Sequence, residues 1–377
     1  MNVALIADGD VYRHPMFSGL PERFSCRLFG MREFLARATA GLTLVVVDIA
    51  NASREGLQHL RNQLAMLSGV PVHFIATPGL RWEIVQANSF PGILLFDRRL
   101  GSEGLAGLLR EHGRQILSRK TGGRVPQQTR KALLEGAKLL EAVADSVAST
   151  EKLPTRLLKQ ASESLTEAMA ADGLMPWVNA VAHHHSGTYR HSLHVAGLTA
   201  AFSAELGWPV QARNLMAAGA LLHDIGKMRI SLSILDKPGR LTSEEFDEIK
   251  KHPVYSQDIL DKRPEIPEPL KIMAVQHHEY LDGSGYPKGL RADQLCPRVR
   301  VLTICDVFSA MTETRAYKKA YPPEVAFQEL EKMGGKLDQS LVKTFRKLVI
   351  DLEMGRINRR EARQKAAARQ QRELLAG

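Results

Sequence analysis

The sequence predicts a multidomain chain: an α/β domain at the N-terminus, a helical linker, and an all-α domain filling the second half. Three observations predict it. Short β-branched runs alternate with helical stretches up to about residue 118. A Gly-rich loop, Thr121-Gly122-Gly123-Arg124-Val125-Pro126, then breaks that pattern. From Met175 to about Leu352, helical spacing dominates and strand-like alternation is scarce. The 377 residues are enough for two or three compact domains.

In the first domain, residues 3–7, 24–29, 42–48, 70–76 and 93–96 are candidate strands, with helical stretches such as residues 55–67 between them. Leu44-Val45-Val46-Val47 is apolar on both faces, as a buried parallel strand must be. The alternation predicts an open α/β sheet over residues 1–118. Asp8 and Asp10 follow the first strand, Asp48 ends the third, and Thr77 follows the fourth. That arrangement resembles a response-regulator receiver, a flavodoxin-like domain. The resemblance implies Asp48 as phosphoacceptor and Thr77 as switch hydroxyl. It departs at two places. Phe96-Asp97-Arg98-Arg99 stands where the family has a lysine before a proline, and Asp8-Gly9-Asp10 is not an adjacent acidic pair. A degenerate receiver is therefore expected, serving contact with other signalling proteins or dimerisation rather than phosphotransfer. On the residues alone, Asp48 is equally a strand-end Asp capping the next turn.

Residues 128–171 are rich in Ala, Leu, Lys and Glu, and Pro154 interrupts them. Two helices are predicted, within a linker over residues 119–173. The third domain is expected over residues 174–352, followed by a basic tail over 353–377. Arg356 to the chain end holds seven basic and two acidic residues, half of the overall charge of +10. A solvated terminal helix accounts for that run, so the charge does not argue for stable nucleic-acid binding. No apolar run is long enough to span a bilayer. Met1-Asn2-Val3-Ala4-Leu5-Ile6-Ala7-Asp8 lacks a basic leader, so no signal peptide is expected. Cys26, Cys296 and Cys305 form no CxxC pair, which fits free thiols in a reducing cytoplasm.

Nine of the thirteen histidines lie between His183 and His278. Imidazoles mixed with carboxylates suit a first-row transition metal better than Ca²⁺ or a thiolate zinc site. His191 lies on a helix-like stretch. His223-Asp224 follows the apolar run Ala217-Ala218-Gly219-Ala220-Leu221-Leu222 and precedes Ile225-Gly226. Consecutive helix residues point about 100° apart, so both can face one ion only where the helix breaks. Thr242 and Glu245 form a capping box that starts a helix running to His252-Pro253. His277-His278 runs into Gly283-Ser284-Gly285-Tyr286-Pro287. Asp306 sits on an apolar helical stretch, where an unpaired carboxylate costs about several kcal/mol. His183-His184-His185 is expected as an exposed loop cluster.

These elements, in this order, resemble the HD-GYP family of cyclic di-GMP phosphodiesterases over about 170 residues. The resemblance implies an all-α catalytic domain and two divalent ions, iron or manganese. One ion would be held by His191, His223, Asp224 and Asp306, the other by Asp224, His252, His277 and His278. Some members hold a third ion through a Glu four residues before the first histidine, where this chain has Gly187. Ser256 replaces a family glycine and Ala316 a family proline. Catalytic roles are implied for Asp224 and Lys227, and substrate contacts for Arg315, Lys318 and Tyr286. Cyclic di-GMP is the expected substrate, with pGpG or GMP as product. The other readings are a hydrolase of another cyclic dinucleotide and a non-enzymatic signalling scaffold. Retention of every two-metal ligand favours the enzyme.

Overall fold

The computed structural model describes residues 2–36, 41–67, 69–90, 92–121, 125–149, 151–182, 187–235, 237, 239–313 and 320–355. The chain forms two compact units, Met1–Lys120 and Thr121–Gly377.

The first unit is built on strands β1 (Val3–Ala7), β2 (Cys26–Gly30), β3 (Leu44–Asp48), β4 (Val72–Ala76) and β5 (Leu94–Asp97). All pair in parallel, in the flavodoxin-like order β2-β1-β3-β4-β5. Parallel pairing requires crossovers. Helices α1 (Leu20–Arg23), α2 (Arg54–Leu64), α3 (Arg81–Asn88) and α4 (Gly101–Thr121) alternate with the strands. Every residue of β1 and β3 is buried, and alternate side chains feed two cores. Val3, Leu5, Leu44 and Val46 pack with Leu105 and Leu109 of α4. Ala4, Ile6, Val45 and Val47 pack with Leu57 and Leu60 of α2. The strand carboxyl ends put Asp48, Thr77 and the residues after β5 along one edge.

The second unit is helical among its described residues. Its helices are α5 (Gln127–Ser149), α6 (Thr155–Asp172), α7 (Leu174–Val181), α8 (Gly187–Glu205), α9 (Val210–Leu222), α10 (Leu232–Leu235), α11 (Ser243–Lys250), α12 (His252–Asp261), α13 (Glu268–Gln276), α14 (Pro297–Thr312) and α15 (Pro323–Lys332). Residues 339–355 are also helical. Most of the segment expected as a linker over 119–173 falls in the second unit. Pro154 does separate two helices, but α5 and α6 pack on each other and against α8 and α9. Leu133, Leu140, Val143, Leu158 and Leu165 are buried there, too much apolar surface for a free connector.

The indole of Trp177 fixes α7 on α8, its Nε1 donating to the Leu193 carbonyl at 2.9 Å. Gly197 makes room for it, since a Cβ there would lie 2.2 Å from the indole ring. Phe345 meets Phe202 and Phe308 edge-on at 5.0 Å, closing the core behind α8 and α14. No described helix is long and apolar enough to cross a membrane. His183–His185, residues 314–319 with Arg315 and Lys318, and residues 356–377 of the basic tail lie outside the described residues.

Candidate metal centre

Each ligand candidate sits where a helix starts, ends or presents its buried face. Helix α9 stops at Leu222, His223 caps it, and Asp224 adopts φ −97°, ψ 16° before a 3-10 turn at Ile225–Arg229. The break turns both side chains inward. Gly226 allows the turn to lie on the start of α12, because a Cβ there would come within 1.9 Å of the His252 carbonyl oxygen. Ser256 ties the same contact, its Oγ accepting from the Gly226 N–H at 3.0 Å. The capping box of Thr242 and Glu245 starts α11 as expected. Lys251 separates α11 from α12, and Pro253 is tolerated in the first turn of α12. His277 caps α13, and Asp306 lies within α14.

Gly226→Ala is expected to destabilise the helical unit by about 1–3 kcal/mol through overpacking and to lower its metal content. Thermal melting and elemental analysis check this. A variant matching the wild type in both would show that the turn yields freely.

All seven predicted ligands converge. His191 Nε2 lies 2.9 Å from Asp306 Oδ1 and 3.8 Å from Asp224 Oδ2. His223 Nε2 is 3.3 Å from Asp224 Oδ2. On the other side, His252 Nε2 and His277 Nε2 stand 3.2 and 3.8 Å from Asp224 Oδ1. His278 Nδ1 is 3.6 Å from Asp306 Oδ2. Asp224 thus directs one oxygen to each half of the cluster.

The histidine rings are oriented from behind. His223, His252 and His277 direct Nδ1 at the carbonyls of Ala220, Ile249 and Ala274, at 2.7, 2.7 and 3.1 Å. An Nδ1–H donated to a carbonyl leaves Nε2 as a lone pair. Two such lone pairs, His252 Nε2 and His277 Nε2, face each other at 3.2 Å. His223 Nε2 and Asp224 Oδ1 are buried with no hydrogen-bond partner. A cation between these atoms satisfies all of them, and three overlapping donor groups can hold one.

The electrostatics agree. Burial depresses His252 to about 3 and His278 to about 4, and with the neighbouring imidazoles it holds His277 well below its ordinary value. All three are neutral at pH 7, as metal binding requires. Burial opposes ionisation of Asp224, but His223 and Lys227 outweigh it and hold the carboxyl well below the usual range. Burial likewise opposes ionisation of Asp306, and the His191 hydrogen bond and His278 outweigh it. Burial disfavours the charged His191, yet Glu313 and Asp306 raise it to about 9. A metal ion at His191 therefore displaces a proton.

Around the cluster, Lys227 Nζ lies 2.6 Å from Asp224 Oδ2. Tyr286 stacks on His278 with centroids 4.8 Å apart. The glycine-rich loop approaches its own backbone closely: a Cβ on Gly285 would lie 2.4 Å from the Tyr280 nitrogen. The buried Glu279 accepts from the Lys288 and Leu290 N–H groups at 2.6 and 2.9 Å, anchoring the loop beyond Tyr286. Glu279, His194, Ser309 and Glu313 were not singled out from sequence. Only His194 carried a signal, three residues from His191 on one helix face.

The strand-end cluster of the first unit has a different character. Asp48 is buried, and Arg98 grips both of its oxygens, with Nη2 to Oδ1 at 2.7 Å and Nη1 to Oδ2. Arg98 Nε also donates to Thr77 Oγ1 at 3.1 Å. The Ala50 N–H donates to Asp48 Oδ1 at 2.9 Å, so the turn-capping role read from sequence is present as well. His14 Nε2 stands 3.6 Å from Asp48 Oδ2. Asp8 accepts from the Ser53 N–H at 2.7 Å, and the exposed Asp10 accepts from the Tyr12 N–H at 3.1 Å. Arg99 pairs with Asp97 instead, at 2.7 Å.

The fold and the cluster define a helical His–Asp domain able to hold transition metal. Residues 176–341 match the model of the HD domain family. The chain is 34% identical to a cyclic di-GMP phosphodiesterase of Pseudomonas aeruginosa over 175 residues, 46% of this chain and 42% of that protein. It is 38% identical to 3'3'-cGAMP-specific phosphodiesterase 3 of Vibrio cholerae over 144 residues, 38% of this chain and 31% of the relative. It is 27% identical over 337 residues to the cyclic di-GMP phosphodiesterase response regulator RpfG of Xanthomonas campestris pv. campestris, covering 80% of this chain and 86% of that one. The chain spans less than half the length of the first two relatives.

Proposed function

We propose that the chain is a metal-dependent phosphodiesterase of the HD-GYP type that hydrolyses cyclic di-GMP. The observation that carries this is the two-sided cluster around Asp224, set beside a Gly-Tyr-Pro loop whose tyrosine stacks on His278. In this reading His191, His223, Asp224 and Asp306 hold one divalent ion, and Asp224, His252, His277 and His278 hold the other. When bound, two such ions, iron or manganese, would supply Lewis acidity that activates water and offsets phosphate charge.

The chain's own residues do the rest. Lys227, held by Asp224, is positioned to donate to a phosphate oxygen. Tyr286 orders the loop over the cluster or meets a base. Arg315 and Lys318 are assigned to the second phosphate, three residues apart. The first unit is assigned to contact with signalling proteins or to dimerisation. Three relatives named as specific for 3'3'-cGAMP are 37–39% identical to this chain over 116–144 residues, which favours a second reading: another cyclic dinucleotide as substrate.

Anaerobically purified protein is expected to carry close to two iron or manganese ions per chain. It should convert cyclic di-GMP faster than 3'3'-cGAMP when both are assayed side by side. Active protein with zero or three ions rejects the two-metal assignment; preference for 3'3'-cGAMP rejects the substrate. Lys227→Ala should keep its metal while turnover falls by about 10²-fold, the scale of losing one phosphate-facing donor. Metal loss in that variant would make Lys227 structural.

A further inference from the structure

His191 differs from the other anchored imidazoles in what stands behind it. His223, His252 and His277 are backed by neutral carbonyls. His191 Nδ1 instead faces a carboxylate, Glu313 Oε2, at 3.3 Å, and Ser309 Oγ at 3.2 Å. Glu313 is 8% exposed at the end of α14. Its other oxygen accepts the Ser309 hydroxyl at 3.1 Å and lies 3.3 Å from His194 Nδ1. Asp306, Ser309 and Glu313 fall at i, i+3 and i+7, so one face of α14 presents both a metal-facing carboxylate and this second carboxylate. Glu313 reaches the far side of His191, away from Asp306 and Asp224.

We infer that Glu313 is the positioning residue of His191, fixing its ring with Nε2 toward Asp306 and Asp224 and making it a stronger donor than the carbonyl-backed imidazoles. The inference rests on the two-metal reading. A buried anionic acceptor behind a ligating imidazole raises its basicity and fixes its tautomer. The two ion positions are therefore unequal. The one that includes His191 depends on Glu313. The one built from His252, His277 and His278 does not, because its anchored rings, His252 and His277, rely on backbone carbonyls.

The test is titration of the metal-free full-length protein with Mn²⁺ alone, comparing wild type with Glu313→Gln, which keeps the shape and removes the charge. Wild type is expected to bind two ions. The variant should bind one ion as wild type does and the other roughly 10- to 100-fold more weakly. Ser309→Ala, which removes the hydroxyl bridging His191 and Glu313 but keeps the carboxylate, is the second variant should the first not fold. It should weaken the same ion by a smaller factor. Unchanged affinity for both ions, or equal loss of both, in whichever variant folds overturns the role of Glu313. Failure of the wild type itself to bind two ions overturns the two-metal reading instead.

Discussion

On the proposed two-metal phosphodiesterase reading, Asp224→Ala is expected to remove both ions and to reduce hydrolysis of cyclic di-GMP by about 10³-fold. The two Asp224 carboxylate oxygens face four imidazoles, two in each half of the cluster. Its Oδ2 faces His191 and His223 at 3.8 and 3.3 Å, while its Oδ1 faces His252 and His277 at 3.2 and 3.8 Å. Without it, four buried imidazoles lose their shared anion, and Lys227 loses its partner at 2.6 Å. An ammonium left unpaired beside the pocket then opposes cation binding. Elemental analysis and chromatography of the reaction products read the two effects separately. A variant that keeps two ions and a near-normal rate would place the bridging role elsewhere.

Arg98→Ala is expected to cost the first unit about 3 kcal/mol, the scale of removing one partner from a buried ion pair. Asp48 is 2% exposed and would be left without the guanidinium that bonds both of its oxygens. Thr77 would lose its bond to Arg98 at the same time. Arg98→Lys should recover part of the loss, since an ammonium preserves charge but not the two-pronged grip. Urea denaturation followed by fluorescence measures both. The same geometry predicts no phosphate adduct on the wild type after incubation with acetyl phosphate and Mg²⁺. Both Asp48 oxygens are already bonded to the Arg98 guanidinium, and Oδ1 also accepts the Ala50 N–H. An adduct on intact mass that vanishes in Asp48→Ala, together with altered phosphodiesterase activity, would overturn this.

Much of the molecule was legible in the chain itself. The five strands fall within a few residues of their expected positions, because β-branched runs such as Leu44-Val45-Val46-Val47 have no favourable place except inside a parallel sheet. The break after Leu222 was readable because two adjacent ligands cannot share an ion within an unbroken helix. Ser256, expected as a mild departure, turned out to bond the Gly226 N–H and so to brace the Asp224 turn.

Other features needed the fold. The segment at 119–173 reads as amphipathic helix whether it bridges domains or packs in a core; only α8 and α9 reveal which. Arg98 and Arg99 are indistinguishable as neighbours in sequence. The turn after β5 aims the first at Asp48 and leaves the second to Asp97 on the surface. Glu313 lies 122 residues from His191, and no local pattern joins them. The sequence by itself determined residue chemistry and local breaks, since periodicity, caps and the order of His and Asp act over a few residues. Tertiary structure alone decided which lone pairs face one another and which carboxylate stands behind which imidazole. Those pairings depend on how helices pack across a buried core, where an unmatched polar group is too costly to leave unpaired.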